Sequence, residues 1–281
     1  MLFSLPWARH RGHNAALLRN RANEFVGACL CAVFAWCLTG PVHAQGDPQG
    51  LSANLPVRLK DAFVTPSGHV ALQTAERVSI AGDGRYSARG GPAIKLGLPG
   101  RIELSFAPVR QFGDASSVHG NLAGAEVEWN FRQQGRYVPA MLISLIRQEP
   151  YGGGHQGPRD SVQFVATKSL GRSRQAPRVG IEIAWTRSFR VRPDERPKRW
   201  MVGMVSSHLI GPRTALVADV VRQQQTRQRR LSSFVDIGFN HILEPAVTIS
   251  GGLGGGVASD RGAVRVFIGL KWTSGVIFQG L

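Results

Sequence analysis

The chain has 281 residues, a formal net charge of +16 and three cysteines. All three, Cys29, Cys31 and Cys37, precede residue 45, so the remainder can form no disulfide, thiolate metal site or cysteine nucleophile. The basic excess suits a phosphate-rich partner, and the export signal described next favours a membrane or polysaccharide surface over nucleic acid.

Arg9, Arg11, Arg19 and Arg21 lead into an apolar run from Phe25 to Leu38, followed by Gly40-Pro41 and Val42-His43-Ala44. A basic flank, a short apolar centre and small residues at the cleavage positions predict a secretory signal over 1–44. The run is too short to span a membrane as a helix, which takes about 20 apolar residues. Residues 45–68 carry Gly46, Pro48, Gly50, Pro56, Pro66 and Gly68, and this density of breakers reads as a periplasmic leader.

From His69 the pattern becomes strict alternation. It predicts strands near 69–80, 88–97, 101–111, 120–131, 138–147, 160–170, 178–189, 198–208, 213–223, 230–240, 245–252 and 262–273. In the last of these, Val264, Val266, Ile268, Leu270 and Trp272 face one way while Arg265, Phe267, Gly269, Lys271 and Thr273 face the other. The strands at 138–147 and 198–208 are apolar on both faces, so their inward side is ambiguous. Residues 274–281 read as a C-terminal tail.

Alternation fits either a soluble sandwich or a membrane barrel. The connections discriminate, because those after odd-numbered strands are mostly longer than those after even-numbered ones, which include Leu98-Pro99-Gly100 and Gly211-Pro212. Long and short connections in turn, with an even strand count, predict an all-β, 12-stranded antiparallel transmembrane barrel of outer-membrane type over 69–273, both termini periplasmic. Phe131, Phe239 and Trp272 would then form an inner aromatic girdle, and Phe189 and Trp200 an outer one. Ile268 is expected near the bilayer midplane, and Gly269→Ser, on the opposite parity, is expected to be tolerated.

The cadence of strand, short charged turn and strand recurs in Ile94-Lys95-Leu96-Gly97-Leu98-Pro99-Gly100-Arg101-Ile102-Glu103-Leu104 and from Phe234 to Ile249. With the closing Gly269-Leu270-Lys271-Trp272, it resembles the outer-membrane β-barrel family named after the meta-pathway of phenol degradation. The resemblance runs from about Val70 to Trp272, although the family usually ends within a residue or two of that tryptophan. It implies a transporter-like channel in the cell outer membrane for small molecules, often hydrophobic or aromatic, and brings no catalytic residue. A non-conducting structural or sensing barrel and an exported soluble β-sandwich binding module are the rival expectations.

Inward parity collects Glu103, Glu126, Glu128, Glu182, Asp219, Asp236, Arg265 and Lys271. Lining a lumen, these would either select solutes by charge and size or neutralise one another as a polar filling. Arg190, Arg192, Arg222, Arg227, Arg229 and Arg230 gather at the outer ends of strands, where lipopolysaccharide phosphates would accept charge-assisted hydrogen bonds. Expected partners are outer-membrane lipid, lipopolysaccharide, a small solute and the barrel-assembly machinery.

No cofactor, metal site or enzymatic activity is expected. Ser206 and His208 share a face but lack an orienting third group for nucleophilic catalysis. The run Gly251-Gly252-Leu253-Gly254-Gly255-Gly256 lacks the Lys-Ser/Thr of a phosphate loop and reads as a flexible loop.

Overall fold

The computed structural model describes residues 47–277, apart from 115–119, 153–156, 174, 194 and 227–230. The expected signal at 1–44 lies outside the described residues. Twelve strands follow in order: β1 (Val70–Ile80), β2 (Tyr86–Leu98), β3 (Ile102–Phe112), β4 (Gly120–Arg132), β5 (Ala140–Tyr151) and β6 (Arg159–Ser169). The second half comprises β7 (Arg178–Ser188), β8 (Lys198–Leu209), β9 (Thr214–Gln224), β10 (Leu231–Glu244), β11 (Val247–Val257) and β12 (Val264–Thr273). Each pairs antiparallel with its sequence neighbour, and β1 pairs with β12 from Ala71–Thr273 to Ile80–Val264, closing the barrel. Closure removes both sheet edges, so every strand finds hydrogen-bond partners without water.

The alternation sorts as expected for a barrel. Outward positions include Met204, Leu253 and Ile268, at 57, 59 and 64% exposure, whereas Glu103, Glu128, Glu182 and Asp236 on the inward parity are buried. The soluble sandwich is thereby excluded: a sandwich encloses its apolar face, and here that face is the outer wall. Glu76 is an exception in mid-strand. It stands on the outward parity of β1, opposite Ile268 and over Gly90, where only a residue without a side chain leaves room for its carboxylate.

Strand ends differ from the periodic reading in three places. β5 runs on to Tyr151, β10 to Glu244, and β11 passes through the whole glycine run that sequence marks as a flexible loop. Those glycines sit in strand for packing reasons. A Cβ on Gly254 would strike the Asp236 carboxylate, one on Gly252 the Pro56 carbonyl, and the Phe239 ring lies across Gly251 from the outside.

The girdle expectation also needs amending. Phe131 and Phe239 are exposed, but Trp272 is only 4% exposed, enclosed where β12 meets Leu72 of β1 and Val247 of β11. Trp200 is half-buried and borders a cavity inside the barrel wall at its outer end. The tail continues along the closing strands, with the Ser274 N–H donating to the Val70 carbonyl and the Ile277 N–H to that of Gly68.

Leu253→Arg on the outward face is expected to destabilise the barrel by about 2–4 kcal/mol. The change should appear as loss of heat-modifiable mobility on semi-native gels. Ile268→Arg should cost less, because Glu76 faces that position and would pair with the new guanidinium.

Candidate functional site

The largest departure from the sequence reading is the leader. Residues 47–66, within the 45–68 segment read as a periplasmic leader, fold into the barrel as a re-entrant loop. Asp47 and Gln49 sit at the end that carries the termini: Arg178 donates to Asp47 at 2.6 Å, and Gln49 meets Ala176 and Ser207. The Asn240 amide holds this limb by donating to the carbonyls of Pro48 and Gly50, both at 3.1 Å. The chain then turns at residues 52–58 and returns toward Gly68, whose N–H donates to Gly97. Asp61 ties the limbs together by accepting from the Leu51 and Phe63 N–H groups at 2.9 and 3.1 Å.

A single extended segment in a buried lumen has no neighbouring strand to satisfy its backbone. The wall supplies acceptors instead. Leu59 N–H donates to Asp219 at 3.0 Å, Lys60 N–H to Glu182 at 3.1 Å, Ala62 N–H to Thr167 at 2.9 Å and Thr65 N–H to Glu103 at 2.7 Å. Lys60 Nζ bridges Glu126, at 2.6 Å, and Glu128, with the lysine and Glu128 side chains each about 4% exposed. Lys95 closes the set on Glu103 at 2.7 Å.

Apolar packing completes the seat. Leu51, Val57 and Leu59 cluster with Ala184, Met201, Val205, Val217 and Val221, while Ala62 packs with Ala140, Leu142 and Val165. This explains why β5 and β8 are apolar on both faces: one meets lipid and the other the plug. Glycines let the plug approach the wall. A Cβ on Gly203 would meet Leu59, one on Gly238 Pro56, one on Gly97 the carbonyls of Thr65 and Pro66, and one on Gly269 Leu55. Gly269→Ser is therefore not the innocuous change that parity suggests, because it displaces Leu55.

All eight expected lumen residues stand on the inward face, but the plug changes what they do. Glu103, Glu126, Glu128, Glu182 and Asp219 bond to it directly. Asp236 lies 3.7 Å from Arg265, whose guanidinium stacks over the Phe234 ring, and Lys271 lines the inner cavity. Five of the six acids are thus plug anchors, and they form no free acidic constriction. At the rim, Arg190, Arg192 and Arg222 are exposed, whereas Arg227, Arg229 and Arg230 lie outside the described residues. Ser206 and His208 face outward.

The plug separates two cavities. The inner one, about 570 Å³, lies toward the termini between the plug and residues such as Lys95, Asn240 and Lys271. The outer one, about 260 Å³, opens at the far end beyond the tip of the loop and is lined by Arg58, Arg77, Arg89, Arg159 and Arg199. Sequence reasoning missed this set. Four of the five were legible by inward parity on β1, β2, β6 and β8, but Arg58 belongs to the leader and had no parity to read.

Lys60→Met is expected to leave Glu126 and Glu128 buried and unpaired, which typically costs about 3–5 kcal/mol. Trypsin should then cut at Arg58, a bond the wild-type barrel protects. Adding Glu126→Gln and Glu128→Gln to the same chain should restore protection.

No family model and no curated protein matches the chain. Solved structures do. An outer membrane channel from Pseudomonas putida F1 aligns with a TM-score of 0.54 at 12% identity, over 77% of this chain and 99% of its own. The NanC porin aligns at 0.53 and 9% identity, over 72% and 98% of the two chains. The KdgM porin, solved in complex with disordered oligogalacturonate, aligns at 0.50 and 8% identity over 71% and 98%. At such identities the likeness is one of fold, and that fold is the 12-stranded barrel of outer-membrane channels.

Proposed function

We propose that the protein is an outer-membrane channel for small solutes, held shut at rest by its own residues 47–66. The observation that carries this reading is the plug between two cavities inside a closed polar wall, seated by non-covalent contacts. The resemblance of the strand-turn cadence to the meta-pathway family supports it from the sequence side alone. A hydrophobic or aromatic solute, which that resemblance implies, would meet five arginines in the outer cavity beside the apolar Val109, Ile146, Trp200 and Met201, so the channel is assigned to small solutes in general.

Planar-bilayer recording tests it. The full chain should show little steady conductance, and the chain lacking residues 48–64 should conduct several-fold more in frequent long openings. Correctly inserted barrels that stay silent in both forms would favour a structural or sensing barrel instead.

The rim supports a second element of the proposal, in which Arg190, Arg192 and Arg222 bind lipopolysaccharide phosphates after delivery by the barrel-assembly machinery. Each charge-assisted bond would contribute about 1.5–3 kcal/mol before screening. Replacing the three with Gln should lower thermal stability in lipopolysaccharide-containing bilayers and leave it unchanged in phosphatidylcholine. An epitope tag at Gln225 should be accessible on intact cells, and a tag seen only after permeabilisation would invert the topology.

A further inference from the structure

The outer cavity brings together more positive charge than its surroundings answer. Arg77 and Arg89 are direct cross-strand partners on β1 and β2, a like-charge pairing that is ordinarily destabilising. Arg58, at the plug tip, is close enough to Arg77, Arg89 and Arg199 that each feels its charge, and Arg159 acts on Arg89 and Arg199 in the same way. The two carboxylates lining this cavity, Glu126 and Glu128, are both taken by Lys60. Asp236 lies within electrostatic reach of Arg58 and Arg77, Glu182 of Arg58, and Glu195 of Arg159 and Arg199, so five arginines share three carboxylates.

Arg199 donates from its terminal nitrogens to Thr226 at 2.6 Å and Ser188 at 3.3 Å, but Arg58 and Arg77 are less well served. Arg58 and Arg77 share one acceptor, Asn54 Oδ1, at 2.9 and 3.3 Å. The Nε atoms of Arg58 and Arg199 are buried without a hydrogen-bond partner among the described residues. Gln73 and Gln163 line the same cavity, each with its side-chain oxygen similarly unpartnered, so a hydroxyl on a solute would find an acceptor there.

We infer that the outer cavity is a binding site for a small polyanionic solute, one bearing two or more carboxylate or phosphate groups. Planar guanidinium forks on strands from separate parts of the wall match such groups bidentately, and two anionic groups are needed to bridge Arg77/Arg89 to Arg159/Arg199. A polyanion there relieves the repulsion within the cluster and meets the plug through Arg58. The site's part in permeation rests on the channel reading; its ability to bind does not.

Isothermal titration of the full, detergent-solubilised chain with citrate, at low and moderate salt, tests the site directly. Wild-type protein should bind citrate, more weakly as salt rises, and should bind neither sucrose nor spermidine. Arg77→Gln with Arg89→Gln should weaken citrate binding about tenfold or more, while Arg77→Lys with Arg89→Lys should retain part of it.

Melting gives an independent readout. Without citrate, the Gln variant should melt at or above the wild-type temperature because a like-charge pair is gone, and citrate should raise only the wild-type midpoint. Citrate binding that is equal in wild type and Gln variant, or absent from a folded wild-type barrel, would overturn the inference. Citrate binding by a barrel that never conducts would remove the channel reading and leave the site. Conductance without citrate binding would do the reverse.

Discussion

Carboxylates inside a narrow barrel must find partners, because water is scarce there and a buried unpaired charge costs several kcal/mol. This chain places six acids on its inner wall and answers most of them with one segment. Lys60 neutralises two of them, and the backbone N–H groups of Leu59, Lys60 and Thr65 serve three others. The same bonds satisfy the segment's own backbone, which has no strand beside it. Wall and plug are therefore each incomplete alone, and the seating of residues 47–66 is the condition on which the interior depends.

Much of the wall's composition follows from that condition. Gly203, Gly238, Gly252 and Gly269 stand where the plug's side chains or carbonyls touch the barrel, and any side chain there would push it away. The inner faces of β5 and β8 are apolar because they contact Ala62 and the Leu51–Val57–Leu59 cluster. A water-filled channel would have no use for an apolar stripe inside, whereas a plugged one gains from burying it.

Charge is also divided along the axis. Five of the six acids bond to the plug, while five arginines line the cavity beyond its tip. Arg58 belongs to both regions, since it is carried by the plug and lines the outer cavity. A solute reaching this cavity thus meets an excess of arginine, because the two carboxylates that share its lining are already bonded to Lys60. The polarity that a count of inward acids suggests is reversed, because counting by parity ignores which charges are already paired.

How legible this was depended on the range of the interactions. The strands were visible because lipid on one side and a polar lumen on the other impose a period of two that each strand carries within itself. The inward set from Glu103 to Lys271 follows from the same local rule. Gly251 to Gly256 misled because glycine's local preference for loops is overridden by contacts with Pro56, Asp236 and Phe239, residues far away in the chain or on the next strand. Trp272 misled because burial at the barrel seam needs β1 and β12, nearly 200 residues apart, to be paired first. The leader was the hardest: its prolines and glycines mark only an irregular segment, and nothing in its own sequence says that the acids it needs are on β3, β4, β7 and β9. Sequence alone determined the barrel, its parity and its strand order, since those rest on local alternation. Tertiary structure alone decided that the barrel is plugged and that the charge in excess at its outer cavity is basic, because both depend on which distant residues closure of the wall brings together.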